Sequence, residues 1–176
     1  MNNQQVLLKS GPAMALFSIG HSNASLDSFI GLLRRHEIDL LVDTRSKPYS
    51  RYNPHFSRDT LKQSLQENGI EYAFLGDRIG GKPEDESFYF QSGKVDYALL
   101  AEAPFYLAGI ERLIALAADQ RVAFMCAEAG YKHCHRYWLI TRTLVGRGIE
   151  VHHILHSGEV VKSVASEFEP EQPSLF

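Results

Sequence analysis

Residues 122–136 read VAFMCAEAGYKHCHR, and this stretch decides the fold. Val122, Ala123, Phe124 and Met125 form a short unbroken apolar run, the pattern of a strand covered on both faces. A polar loop with Cys126, Glu128, Gly130, Tyr131, Lys132 and His133 follows, and a helix is expected to open at Cys134-His135-Arg136. Strand, loop and helix in that order form the repeating unit of an α/β protein. The unpaired N–H groups and partial positive charge of a helix N-terminus favour bound anions, and they stabilise a thiolate for the same reason. Cys126 alone could be a small buried hydrophobe. The loop, however, is too polar for core and gathers Cys, Glu, His and Arg, which points to a site.

Upstream, residues 14–19 (MALFSI) read as a first strand, and Gly20-His21-Ser22-Asn23 turns the chain. Ser25 is placed to cap a helix over 26–36, in which Leu26, Phe29, Ile30 and Leu33 fall at helical spacing. Residues 38–42 (IDLLV) form a second strand ending at Asp43-Thr44-Arg45. A long loop over 45–57 leads to Ser57, read as the cap of a helix over 58–68 that Gly69 closes. A third strand covers 70–75, and a second long loop runs over 76–94. Helical sequence over 96–118 is interrupted at Pro104. Downstream, the helix after Cys134 runs to about residue 145, Gly146-Arg147-Gly148 ends it, and 151–155 (VHHIL) makes a fifth strand. There is no internal repeat.

This pattern predicts a single α/β domain in three layers, with a mostly parallel sheet of about five strands and helices on both faces. The domain is expected over 14–162, between a flexible lead over 1–13 and a flexible acidic tail over 163–176. In such sheets ligands bind beyond the C-terminal strand ends. Three polar segments follow strand ends here, 20–22, 43–57 and 126–136, and are expected to converge on one pocket.

Composition bounds the function. The 176 residues carry 44% hydrophobic and 22% charged side chains, as in a globular domain large enough for a real core. No apolar run approaches a membrane span of about 20 residues. The first residues lack the basic and apolar regions of a signal peptide, and two cysteines suit a reducing compartment, so a cytoplasmic location with free thiols is expected. A net charge of −3 disfavours a generally basic nucleic-acid binder but permits a local basic groove.

Candidate catalytic residues are Cys126 and Cys134 as thiol nucleophiles, with Glu128 and His135 as acid/base groups. His21, Ser22, Asp43, Arg45, Ser50, Arg51 and Arg136 are candidates for holding a phosphate or other ligand. For Asp43 and Arg45 a structural ion pair that ties the loop to the sheet is the competing reading. The 45–57 loop (RSKPYSRYNPHFS) mixes cations with aromatic rings, the combination that grips phosphates and stacks bases. Gly80-Gly81-Lys82 is not a P-loop, because the glycine spacing and the following Ser/Thr are missing. A metal set of Cys126, Cys134 and His133 or His135 lacks paired spacing, so no metal is assigned and the cofactor is left open.

The motifs together resemble the family known as DUF488, a domain of unknown function. They are Ser18-Ile19-Gly20-His21-Ser22, Leu41-Val42-Asp43-Thr44-Arg45 with Pro48 and Ser50-Arg51, Tyr72 with Leu75-Gly76, and Gly80-Gly81. They continue with Cys126-Ala127-Glu128, Cys134-His135-Arg136 and Val151-His152-His153-Ile154. That resemblance implies a fold and a site, not an activity. A fainter similarity to rhodanese-like domains rests on the Asp-x-Arg ending an early strand and the cysteine ending a late one, without the compact Cys-x5-Arg ring. The terminal Gln172-Pro173-Ser174-Leu175-Phe176 resembles peptides that dock bacterial repair proteins on the DNA polymerase sliding clamp, which would make Gln172, Leu175 and Phe176 the anchors. The expected function is therefore binding of nucleic acid, a nucleotide or a phosphate ligand, with thiol-dependent chemistry in DNA repair or modification. A non-enzymatic adaptor recruited to the clamp by its tail, and a metal-stabilised domain, are the alternatives.

Overall fold

A computed structural model describes residues 14–169. The expected clamp anchors Gln172, Leu175 and Phe176, and the 1–13 lead, lie outside the described residues. Six strands form one sheet in the order β3-β2-β4-β1-β5-β6. They are β1 (Ala15–Gly20), β2 (Leu40–Asp43), β3 (Glu71–Phe74), β4 (Val122–Cys126), β5 (Glu150–Ile154) and β6 (Val160–Ser163). The first five pair in parallel, and β6 is antiparallel to β5. The sequence reading of about five strands stops one short. Val160, Val161 and Lys162 are all exposed, so β6 has no one-sided apolar alternation to signal a strand.

Helices cover both faces because successive side chains of a strand point to opposite sides. Leu16, Leu40, Val42, Val122, Phe124 and Val151 pack under α4 (Tyr97–Ala101), α5 (Pro104–Leu116) and α6 (Arg142–Gly146). The alternate residues Phe17, Ile19, Leu41, Ala123 and Met125 face α1 (Leu26–Arg35) and α2 (Arg58–Glu67). β4 is central and buried throughout, as its unbroken apolar run requires.

Local signals mostly match. The Ser25 side chain accepts a hydrogen bond from the Ser28 N–H, and Gly69 ends α2 at φ +73°. Ser57 stands at the N-cap of α2, but its hydroxyl accepts from the Ser50 N–H at 3.2 Å rather than capping the helix. The loop after β3 holds the short α3 (Gly76–Ile79) and a Tyr89–Val95 bridge. The helix expected at Cys134 starts later. Cys134 is extended, and Arg136–Thr141 is π-helical before continuing as α6. At the other end, Ser163 belongs to β6, one residue past the expected boundary. Phe168 packs on Tyr137 at 4.7 Å between ring centroids. No helix among the described residues is long and apolar enough to cross a membrane.

Candidate functional site

The strand order brings the C-terminal ends of β2, β4 and β1 side by side. Each end is stitched to the next by backbone hydrogen bonds. His21 N–H donates to the Cys126 carbonyl at 3.2 Å, Ser22 N–H to the Ala127 carbonyl at 2.8 Å, and Thr44 N–H to the Met125 carbonyl at 3.1 Å. Beyond these ends lies a cleft of about 370 Å³, within the size range of small-ligand sites. His21, Arg45, Ser50, Cys126, Glu128, Cys134 and His135 all line it, so the three polar segments do converge.

The two cysteines meet on its floor, with Sγ atoms 3.1 Å apart and both thiols free. Cys126 is buried at the end of β4, whereas Cys134 is half-open to the cleft. Arg136 lies against the pair. It is 1% exposed, and among the described residues it has no carboxylate partner. Its Nη2 donates to the carbonyl oxygens of Glu128 and Ala129 at 3.3 and 3.4 Å, and its Nε has no partner. A buried unpaired cation costs several kcal/mol unless an anion forms beside it. The thiol pair can supply that anion. Hydrogen bonding from Cys126, aided by the charge and the N–H groups of Arg136, lowers the Cys134 thiol to about 6. Cys126, the donor in that bond and desolvated, moves the other way. Cys134 is therefore the thiolate and Cys126 the protonated partner.

Arg45 has a different role from the expected phosphate clamp. Its Nε and Nη2 grip Asp43 at 2.9 and 2.6 Å, Nη2 also donates to the Phe56 carbonyl at 2.8 Å, and Nη1 donates to His21 Nε2 at 3.3 Å. Of the five N–H donors of a guanidinium, these bonds leave a single one for the cleft. In this arrangement Arg45 has one N–H for the cleft, where a bidentate grip on phosphate needs two. Asp43, fully buried, also accepts from the Tyr72 hydroxyl at 2.8 Å and does not reach the cleft. The competing structural reading of the Asp43–Arg45 pair is the one observed.

His21 donates from Nδ1 to the Ser22 carbonyl at 2.8 Å, which leaves Nε2 as the acceptor for Arg45. Burial lowers its pKa to about 4, so the ring is neutral. His135 donates from Nε2 to the Thr44 carbonyl at 3.0 Å, and burial lowers it to about 4 as well. It locks the helix entry to the end of β2, and only its Nδ1 is left for proton transfer. Ser22 uses its carbonyl for His21 and Asn53 and stands outside the cleft wall, as does the exposed Arg51.

Sequence reasoning missed several lining residues. Lys47 and Tyr49 sit in the cation-aromatic loop already singled out, so that loop carried their signal. Lys82 comes from the Gly80-Gly81-Lys82 element, where Gly81 lets the loop touch the His135 side chain, whose Cβ and ring Cγ lie 2.5 and 2.6 Å from where a Gly81 Cβ would stand. Tyr97 arrives from α4, with no local hint in the sequence. Burial raises the Tyr97 phenol, and the charge of Cys134 adds to this, so its hydroxyl keeps its proton beside the thiols. The lining cations Arg45, Lys47 and Lys82 face Glu128 as the one lining carboxylate. Among the described residues no three His, Cys, Asp or Glu side chains gather as a metal set, so the zinc alternative has no ligand cluster there.

Fold and site together define an α/β protein with a thiol pair in a cationic cleft at the C-terminal edge of a parallel sheet. The chain belongs to the family described as Domain of unknown function DUF488, whose model matches residues 25–143. That match takes in Asp43, Arg45, both cysteines and Arg136, and begins after His21. No curated protein and no solved structure matches the chain.

Proposed function

We propose that this protein binds a phosphate-bearing ligand, a nucleotide or the end of a nucleic-acid strand, and acts on it with Cys134 as a thiolate nucleophile. The observation that carries this reading is Arg136, a buried cation with no carboxylate partner among the described residues, lying against the thiol that opens on a cationic cleft. Lys47, Lys82 and the free N–H of Arg45 attract the phosphate, and Tyr49, 74% exposed at the rim, offers a face on which a base can stack. Among the lining groups, Glu128 and the Tyr97 hydroxyl can pass a proton to or from a leaving group. Asp43 and His21 hold Arg45, and His135 holds the helix entry, all as positioning residues.

The test is binding of a mononucleotide, its neutral nucleoside and a short single-stranded oligonucleotide to the full chain. The phosphate-bearing ligands should bind, weaken with added salt, slow alkylation of Cys134 and lose affinity in Lys82→Ala. Equal affinity for nucleoside and nucleotide, or no protection of Cys134, would overturn the proposal.

A further inference from the structure

The geometry points to a second chemistry of the same cysteines: Cys126 and Cys134 form a reversible redox pair, in which Cys134 is oxidised by a hydroperoxide and Cys126 resolves it as an intramolecular disulfide. This rests on Cys134 being the accessible thiolate, as in the function proposed above, but not on any phosphate ligand. The sulfurs stand 3.1 Å apart, and a disulfide bond is about 2.05 Å long, so closure needs a movement of about 1 Å. The two thiols also differ in access, as an attacking and a resolving thiol must. Both line the cleft, but Cys134 is half-exposed while Cys126 is 2% exposed, its Sγ 3.1 Å from Cys134 and 3.9 Å from the Glu128 carbonyl oxygen.

The electrons and atoms balance as follows. The Cys134 thiolate attacks the distal oxygen of the hydroperoxide, the O–O bond breaks, and the departing alkoxide or hydroxide takes a proton. Cys134 is then a sulfenic acid. The Cys126 sulfur attacks the Cys134 sulfur, and the S–O bond breaks with loss of water, which carries the Cys126 proton. A small thiol in excess reverses the oxidation: two thiols become one external disulfide, and both cysteines regain their hydrogens.

Arg136 sets the poise of this pair. Reduced, Cys134 gives the buried guanidinium its counterion. Oxidised, the disulfide is neutral and deprives the buried Arg136 of that counterion. The reduced form is thereby stabilised, which makes the disulfide readily reducible. The oxidised protein also has no nucleophile, so the redox state gates any thiol chemistry in the cleft.

The experiment treats the reduced full chain with hydrogen peroxide, reads its mass, and titrates it against glutathione buffers. Wild type should lose two hydrogens without dimerising. Cys126→Ser should stop at a sulfenic acid that a dimedone reagent traps, and Cys134→Ser should do neither. Arg136→Gln should move the equilibrium towards the disulfide by about tenfold or more, about 30 mV. Direct passage of wild type to sulfinic acid, or only intermolecular disulfide, overturns the inference, and this readout needs no variant to fold. Absence of the disulfide, while phosphate still protects Cys134 from alkylation, removes this inference alone. Disulfide formation without such protection supports it and removes the phosphate reading.

Discussion

Glu128 lies in the loop after β4 and Arg136 opens the helix that follows, yet the buried Arg136 guanidinium donates to the Glu128 carbonyl oxygen at 3.3 Å and leaves the Glu128 carboxylate at the exposed wall of the cleft. The charge balance of the floor therefore falls to Cys134. The rate of alkylation of Cys134 should rise with a midpoint near pH 6, well below the usual thiol range near 8.5. Arg136→Gln should shift that midpoint up by about one unit or more, and Cys126→Ala should raise it by removing the first hydrogen bond. A pH series of iodoacetamide rates, read by peptide mass, checks this; an ordinary midpoint in wild type would refute the thiolate assignment.

The Asp43–Arg45 pair should behave as a structural unit. Asp43→Asn leaves a buried guanidinium without its bidentate partner and is expected to cost about 3–5 kcal/mol in denaturant unfolding. Tyr72→Phe removes a single hydrogen bond to the same carboxylate and should cost about 1 kcal/mol. Similar losses in the two variants would mean that the pair does not hold the loop.

Gly20 ends β1 where the cysteine loop crosses it. A Cβ there would stand 1.7 Å from the Glu128 carbonyl oxygen and 3.1 Å from Arg136 Nη1. Gly20→Ala must push the loop away, and should cost about 1–3 kcal/mol and slow Cys134 alkylation at pH 6. Gly31, inside α1, has nothing within 4 Å of its Cβ position. Gly31→Ala should stabilise by about 0.5–1 kcal/mol through helix propensity and leave the thiol unchanged. Thermal melts of both variants, with the alkylation assay, separate a site effect from a backbone effect.

Acid should unfold the protein through its buried histidines. His153 lies between the Ser18 and Ser163 hydroxyls at 2.6 and 2.8 Å, stacked on Tyr131 at 4.0 Å. Burial, with Arg136 nearby, lowers it to about 3. Its folded pKa is below the unfolded value near 6.5, so between these values the unfolded chain binds the extra proton. The stabilisation is complete above about pH 6.5 and is lost as the pH falls towards 3, by up to about 1.4 kcal/mol per pH unit for each such group. His21 and His135 add the same sign over a narrower window, down to about 4. His153→Gln should flatten the slope of unfolding free energy between pH 6 and 4; an unchanged slope would show that His153 titrates normally.

Local order is largely written in the sequence. The unbroken apolar run of β4, the Ser25 cap and the Gly69 stop act through neighbouring residues, and alternating strands and helices imply a parallel sheet open at its C-terminal edge. The same periodicity placed Cys126 at a strand end and made 20–22, 43–57 and 126–136 one rim. It was silent where an element lacks a patterned face, as in β6, or where a residue arrives from a distant helix, as Tyr97 does. It also could not decide how charges pair. Asp43 and Arg45 look the same in sequence whether the arginine faces a ligand or folds back on its neighbour. Only the tertiary structure consumes Arg45 on Asp43, Phe56 and His21, and buries Arg136 beside two sulfurs with no carboxylate among the described residues to match it. The physical reason is that burial and pairing set the charge state of a group, and both are properties of contacts between residues far apart in the chain.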